Sequence, residues 1–237
     1  MHWSEQKHAN YHRLQWVRNE AFIDVVASAC GIGEAVLDLG CGTGVMAEPL
    51  TRSFTRYVGV DPAKNLLERA PKVPGAEYVP LPLEEITFKG EFDCVLLRNT
   101  VHHLKDPEAG FDKAIRALRR GGRVVLCEGV PPDSRVRPFY SELFKLFDDR
   151  HILTEGDLLA LLRMNGFRQI VLQPFFMEKV NLVDWLRKVS PNEQVLQKAL
   201  KLHLAGDEHF RRVYEIEGEG DALTMTWRFM VATGRKP

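Results

Sequence analysis

The sequence predicts an α/β protein whose mostly parallel sheet is covered by helices on both faces. Short apolar segments of strand length alternate with segments of helical periodicity between residues 36 and 173, and this alternation is typical of consecutive βαβ units. The first predicted strand, residues 36–39, breaks into a glycine-rich turn. With 237 residues, of which 45% are hydrophobic and 27% charged, the chain has the size and balance of one globular domain with an addition.

Each predicted element has a local sequence reason. Short apolar segments predict strands at residues 36–39, 57–60, 77–80, 93–97, 123–127 and 169–172, with a last strand at 223–233. Glycine, proline and helical spacing predict helices at residues 43–54, 63–70, 107–119 and 158–164. Thr154 and Asp157 predict a capping box before the last of these helices.

The segment between the last two strands departs from plain alternation. The sixth strand is predicted to end near residue 173, and helical patterns follow at 182–189, 192–204 and 207–214. We interpret residues 175–221 as a helical cap over the site, because insertions between scaffold elements commonly carry specificity; a dimerisation element is the alternative. The remaining divisions are a helical lid at residues 1–32, a core at 33–173 and a final strand at 222–237.

A glycine-rich turn and a following acid form a nucleoside-binding pattern. Gly40, Gly42 and Gly44 would let a ligand approach the backbone, and Asp61 would accept hydrogen bonds from two ribose hydroxyls. Asp61 could instead cap the next helix. The glycines do not follow the G-x-G-x-x-G spacing of dinucleotide-binding folds. Asp38, two residues before the first glycine, would repel a pyrophosphate but suits an ammonium and a sulfonium, which favours S-adenosylmethionine.

The run Asp-Leu-Gly-Cys-Gly-Thr-Gly at residues 38–44 closely resembles motif I of the class I S-adenosylmethionine-dependent methyltransferases. Residues 93–128, with Leu97-Arg98-Asn99, a later Gly-Gly-Arg and Glu128, are similar to the methyltransferase type 11 enzymes of ubiquinone and menaquinone biosynthesis. The resemblance implies a Rossmann-like, doubly wound seven-stranded sheet of order 3-2-1-4-5-7-6 with an antiparallel last strand. It also implies S-adenosylmethionine as the cofactor.

Candidate cofactor contacts lie where the predicted parallel strands end. They are Asp38, Gly40, Cys41, Gly42, Thr43, Gly44, Asp61, Pro62, Leu83, Glu84, Asn99 and Thr100. The family usually has an acid after the third strand that meets the adenine amino group, where this chain has Pro82. A backbone amide of Leu83 or Glu84, or the Glu84 carboxylate, could substitute; Glu84 could equally be an exposed charge in a turn.

Catalysis and acceptor binding have separate candidate residues. A general base is needed only if the acceptor must lose a proton, and the candidates are His151, His103 and Glu128. The predicted acceptor pocket contains His102, Phe139, Tyr140, Trp185 and Tyr214, although each aromatic residue could be part of the core. No metal site is expected, because adjacent histidines do not share a face and no ligand cluster supports them.

Composition and charge limit the possible partners. The formal net charge is 0 and the isoelectric point is about 7.1, which argues against nucleic acid. The four cysteines form no C-x-x-C pair, which indicates reduced thiols in the cytoplasm, and no apolar run approaches membrane-spanning length. The sequence thus predicts a monomeric or homodimeric methyltransferase for a small, partly apolar, quinone-like or aromatic metabolite. A non-catalytic cofactor-binding protein and a nicotinamide-dependent dehydrogenase are the alternatives.

Overall fold

A computed structural model describes residues 14–237, so the first 13 residues of the predicted lid lie outside the described part. The strands are β1 (Gly33–Leu39), β2 (Phe54–Val60), β3 (Ala76–Val79), β4 (Phe92–Arg98), β5 (Leu118–Gly129), β6 (Arg168–Asn181) and β7 (Thr224–Arg235). They form one sheet of order β3-β2-β1-β4-β5-β7-β6. β7 runs antiparallel to both of its neighbours, β5 and β6, and the other adjacent pairs are parallel. The predicted fold and strand order are therefore confirmed.

Helices cover both faces of this sheet. They are α1 (Gln15–Arg18), α2 (Glu20–Cys30), α3 (Ala47–Thr51), α4 (Lys64–Leu67), α5 (Pro107–Ala117), α6 (Arg137–Phe144), α7 (Glu155–Met164), α8 (Leu182–Val189), α9 (Glu193–Leu204) and α10 (Glu208–Val213). One apolar core joins one sheet face to α2, α3 and α8–α10, and a second core joins the other face to α5 and α7. The longest of these helices has 12 residues, and within residues 14–237 no helix could cross a membrane.

A capping box correctly predicts where α7 begins, whereas α3 is shorter than predicted. Thr154 accepts a hydrogen bond from the backbone N–H of Asp157, whose side chain accepts from the N–H of Thr154, so the predicted capping box is confirmed. The predicted helix at residues 43–54 is too long, because α3 spans only Ala47–Thr51 and Phe54 already pairs with Gly33 in the sheet. Because Phe54 belongs to β2, α3 must end before this residue.

The predicted end of the sixth strand near residue 173 is wrong. β6 continues to Asn181 and pairs with β7 along nearly its whole length. Pro174 is tolerated because β6 is the last strand of the sheet, and proline, which has no N–H to donate, is confined to such edge strands. The helical part of the inserted segment therefore begins at Leu182, and its role as a cap stays a prediction.

Candidate functional site

A cavity of about 780 Å³ opens at the carboxyl ends of the parallel strands. This is where ligands bind in open α/β sheets, and the volume lies in the usual range of about 300–1,000 Å³ for ligand pockets. One wall comes from the loops that follow β1, β2, β3 and β4. Another part of the lining comes from α6, α8 and β7, so α8 of the inserted segment borders the same cavity as the nucleoside-binding pattern.

The glycine turn forms the floor of this cavity. Gly40 and Gly42 line it, and both have left-handed backbones, with φ of 74° and 56°. A Cβ on Gly40 would lie 2.4 Å from Oγ1 of Thr100, which itself donates to the Leu39 carbonyl at 2.9 Å. Gly44 packs instead against Tyr78 and does not line the cavity. Neither Cys41 nor Thr43 is among the lining residues.

Asp61 stands at the tip of β2 with its carboxylate oriented by the backbone. Oδ2 accepts a hydrogen bond from the N–H of Gly42 at 2.9 Å, and Oδ1 accepts from the N–H of Ala63 at 2.8 Å. The side chain therefore joins the glycine turn to the residues just before the next helix. The alternative prediction that Asp61 caps this helix is wrong, because the N-cap of α4 is Ala63 and no side chain caps it. Asp61 also lines the cavity, and each carboxylate oxygen can accept more than one hydrogen bond.

Asp38 lies beneath the surface rather than on the cavity wall. It is 2% exposed and accepts a hydrogen bond from the Tyr57 hydroxyl at 2.7 Å. Burial raises the pKa of Asp38 to about 6, against the opposing effects of the Tyr57 hydrogen bond and the positive charge of Arg98. A direct contact between Asp38 and a ligand would require the side chain to be uncovered.

This raised pKa makes Asp38 a source of pH-dependent stability. The folded pKa is above the ordinary 3.8, so the stability from the protonated acid is complete below about pH 4 and is lost as pH rises through about 6. We expect Asp38→Asn, which cannot ionise, to gain stability relative to wild type over that interval, by about 3 kcal/mol at pH 7. Urea unfolding of both proteins from pH 4 to 8 measures the difference. If the free energies of unfolding of the two proteins changed in parallel from pH 4 to 8, the prediction would be contradicted.

The loops after β3 and β4 supply the next part of the wall. Pro82, Leu83 and Glu84 all line the cavity, with Leu83 opening a single 3-10 turn. Asn99 and Thr100 follow β4 and also line it. Asn99 has φ of 53°, an uncommon conformation for any residue except glycine, and its N–H donates to the Cys127 carbonyl at 2.6 Å. The structure thus places these predicted cofactor contacts at one rim.

Three histidines gather on the wall beside Asn99. His102 and His103 lie in a 3-10 turn after β4 with ring centroids 4.0 Å apart, and the N–H of His151 donates to the His102 carbonyl at 2.9 Å. All three line the cavity. Glu128 does not, because it is fully buried and hydrogen-bonded to Nδ1 of His102. Among residues 14–237, no group of three or more histidine, cysteine, aspartate or glutamate side chains could hold a metal ion.

The far wall is aromatic. Phe139, Tyr140 and Trp185 line the cavity as predicted sites, whereas Tyr214 lies behind Tyr140, with nearly parallel rings and centroids 6.0 Å apart. Trp16, Phe144 and Trp227 also line the cavity. So do Arg150, His203, Met225 and Phe229, which the sequence did not single out. Met225 and Phe229 lie two residues on either side of Trp227 in β7, so period-two alternation was the signal that could have identified these two.

The described part of the N-terminal segment borders the cavity and is held there by a buried arginine. Arg98, at the end of β4, donates to the Trp16 carbonyl at 2.6 Å, and its guanidinium lies 5.0 Å from the Phe22 ring centroid. Leu14 and Trp16 both line the cavity. The described end of the predicted lid is therefore tied to the sheet beside the site.

The strand order β3-β2-β1-β4-β5-β7-β6 is that of the methyltransferase fold. Residues 37–126 match the family model described as a methyltransferase domain. The demethylmenaquinone methyltransferase of Clavibacter sepedonicus is 32% identical over 119 residues, which are 48% of this chain and 49% of that protein. The ubiquinone biosynthesis O-methyltransferase of Bradyrhizobium sp. (strain ORS 278) is 31% identical over 123 residues, with shares of 48% and 49%. The chain thus spans about half the length of these relatives.

Solved structures share the whole fold at low identity. The BH2331 protein of Bacillus halodurans C-125 superposes with a TM-score of 0.82 at 21% identity, covering 92% of this chain and 99% of that one. A Haemonchus contortus phosphoethanolamine N-methyltransferase 2, solved with S-adenosyl-L-methionine, has a TM-score of 0.58 at 18% identity, with coverage of 94% and 56%. Over residues 37–126 the chain is thus similar in sequence to methyltransferases, and over nearly its whole length it has their fold.

Proposed function

We propose that this protein transfers the methyl group of S-adenosylmethionine to a small, partly apolar acceptor with an aromatic or quinone-like ring. The observation that carries the proposal is a single cavity with a nucleoside-binding rim on one wall and aromatic side chains on the other. Phe139, Tyr140, Trp185 and Trp227 offer flat apolar contacts of the kind that hold a ring. The printed names of the quinone-pathway relatives support the same acceptor class.

The residues present fit the cofactor chemically. The Asp61 carboxylate would accept hydrogen bonds from the ribose hydroxyls, and Gly40 and Gly42 would let the ligand lie against the backbone. Leu83 and Glu84 would border the adenine, and Asn99 with Thr100 the methionine end. When bound, the cofactor supplies an activated methyl group on sulfur. What the protein adds is alignment and the exclusion of water.

The family match and the aromatic wall occupy different parts of the chain. The methyltransferase model ends at residue 126, whereas Phe139, Trp185 and Trp227 come later. The proposed acceptor class therefore depends mainly on this chain's own wall. We also propose a cytoplasmic location, which is supported by the buried free thiols of Cys30, Cys41, Cys94 and Cys127.

Calorimetric titration with S-adenosylmethionine, S-adenosylhomocysteine and NADH tests the cofactor half of the proposal. We expect micromolar binding of the first two and no response to NADH. Binding of NADH alone would contradict the proposal and favour a dehydrogenase. A panel of phenols, quinols, amines and carboxylates then tests the acceptor half. Cofactor binding without turnover of any phenol or quinol would favour a non-catalytic binding protein.

Phe139 offers a prediction about the acceptor wall with a matched control. Phe139 lines the cavity and packs on Phe210 with ring centroids 4.3 Å apart, whereas Phe176 is 54% exposed on the edge strand. We expect Phe139→Ala to raise the acceptor KM about ten-fold, since a buried aromatic contact contributes about 1.5–3 kcal/mol. Affinity for S-adenosylhomocysteine should stay within about two-fold. Phe176→Ala should change neither value, and equal effects of both substitutions would contradict the assignment.

A further inference from the structure

His102 and Glu128 form a hydrogen-bonded pair at the carboxyl ends of two neighbouring parallel strands. Glu128 lies near the end of β5, and His102 lies in the turn after β4. The Glu128 side chain is fully buried, whereas that of His102 is 12% exposed and lines the cavity. The pair therefore connects the interior of the sheet with the place where an acceptor would bind.

The hydrogen bonds of Glu128 divide its two oxygens between the backbone and the histidine. Oε1 accepts from the N–H of Thr100 at 3.0 Å and from the N–H of Val101 at 2.7 Å. Oε2 is hydrogen-bonded to Nδ1 of His102. An ionised carboxylate can only accept, so Nδ1 then carries the hydrogen. In the neutral ring, Nε2 holds the lone pair.

We propose that His102 is the general base that removes a proton from an O–H group of the methyl acceptor, and that Glu128 is the positioning residue that fixes its ring and its tautomer. This proposal rests on the proposed function, because it needs an acceptor in the same cavity. A buried carboxylate that orients a histidine base is an established catalytic arrangement. His102 therefore replaces Glu128 as the candidate general base.

Methyl transfer from sulfur to the acceptor oxygen would be a single displacement. The acceptor O–H bond breaks, and its proton joins the lone pair on Nε2 of His102. The oxygen electron pair forms the new bond to the methyl carbon, while the electron pair of the broken S–CH₃ bond returns to sulfur. The products are the methyl ether, S-adenosylhomocysteine and a positively charged imidazole beside the Glu128 carboxylate, which then loses its extra proton to water.

The surroundings of the pair shift the ionisation of Glu128. Burial raises the pKa of Glu128 to about 8, against the opposing effects of the two N–H donors and the Arg150 charge. Glu128 is therefore mainly ionised above about pH 8, and the ionised carboxylate is the form that keeps the hydrogen on Nδ1 of His102. The other ionisable or charged groups around the pair are Arg150 with its partner Asp148, Cys127, His103, His151 and Tyr140.

The deciding experiment needs no acceptor. ¹⁵N NMR of the protein saturated with S-adenosylhomocysteine at pH 9, with His102 assigned through His102→Gln, reports which ring nitrogen carries the hydrogen. We expect Nδ1–H in wild type. In Glu128→Gln, the N–H groups of Thr100 and Val101 would still donate to the side-chain amide oxygen. The amide NH₂ would then donate to Nδ1 of His102, and the ring hydrogen of His102 should move to Nε2. Wild-type His102 with its hydrogen on Nε2 would overturn the proposal.

Turnover gives the second readout, using a phenol found in the acceptor panel. We expect Glu128→Gln to lower kcat at least about 100-fold, with affinity for S-adenosylhomocysteine within about two-fold of wild type. Wild-type kcat should rise toward a plateau above about pH 8. Glu77→Gln, which replaces an exposed carboxylate on β3, is the control and should match wild type.

Two results would count against the base assignment. A Glu128→Gln protein whose His102 hydrogen has moved to Nε2 but whose kcat is undiminished would overturn it. So would a 100-fold loss of kcat in His103→Gln or His151→Gln that is absent from His102→Gln. Failure of wild type to bind S-adenosylhomocysteine would instead count against the proposed function. The tautomer of His102 can then still be measured in the protein alone, so the two failures are distinguishable.

Discussion

We expect Asp61→Ala to weaken the binding of S-adenosylhomocysteine by between ten-fold and more than a hundred-fold. The carboxylate lines the cavity, and the N–H groups of Gly42 and Ala63 hold its two oxygens at 2.9 and 2.8 Å. Its orientation is thus fixed before a ligand arrives, which limits the entropy lost on binding. Each charge-assisted hydrogen bond to a ribose hydroxyl contributes about 1.5–3 kcal/mol, and about 1.4 kcal/mol corresponds to ten-fold in affinity. Calorimetry measures the change.

Asp61→Ala also removes the acceptor of two backbone N–H groups, so a second variant is needed to separate ligand contact from loop support. Asp61→Asn keeps the shape and one acceptor oxygen but loses the charge. We expect its affinity for S-adenosylhomocysteine to lie between those of wild type and Asp61→Ala. Its loss of stability in urea should be smaller than that of Asp61→Ala, because one of the two backbone N–H groups keeps its acceptor. Wild-type affinity in a folded Asp61→Ala protein would refute the ribose assignment.

The sequence predicted the sheet because its signals are local and repeated. A glycine turn follows one buried strand and Asp61 follows the next, and parallel strands joined by helices bring such ends to one edge. The same rule placed Asn99 and Thr100 at that rim. These residues needed no knowledge of tertiary contacts, since strand direction alone determines the edge at which they lie.

Element lengths could not be predicted in the same way. The continuation of β6 past Pro174 depends on its position at the edge of the sheet, and no residue near Pro174 reports that position. The early end of α3 likewise depends on pairing between Phe54 and Gly33, which are far apart in the chain. Tertiary pairing overrides local helix and strand preference at both places.

The hydrogen bonds between specific side chains of the site could not be predicted from the sequence. Glu128 and the histidines were each selected from the sequence, yet only the parallel register of β4 with β5 places Glu128 beside His102. Asp38 was expected to face the ligand, but Tyr57 on the neighbouring strand covers its carboxylate. Spacing along the chain gives the edge on which a residue lies, whereas burial depends on the neighbouring strands.

Gly40→Ala is expected to destabilise the fold by about 3 kcal/mol or more, through two separable causes. The backbone at Gly40 has φ of 74°, and a left-handed conformation costs an ordinary residue about 1–2 kcal/mol. The new Cβ would also lie 2.4 Å from Oγ1 and 2.7 Å from Cγ2 of Thr100. Thr100 cannot move away without breaking its hydrogen bond to the Leu39 carbonyl, and overpacking of this kind costs about 1–3 kcal/mol.

Gly121 provides the matched control for the backbone contribution. Its φ is 73°, yet a Cβ there would meet nothing within 4 Å, so Gly121→Ala should lose only the conformational contribution of about 1–2 kcal/mol. Thr100→Ala in the Gly40→Ala background removes both clashing atoms, and a double-mutant cycle in urea isolates their contribution. We expect the two substitutions together to cost less than the sum of their separate effects. Equal losses for Gly40→Ala and Gly121→Ala, with no coupling to Thr100, would mean that the contact between the glycine turn and Thr100 does not constrain this part of the cavity.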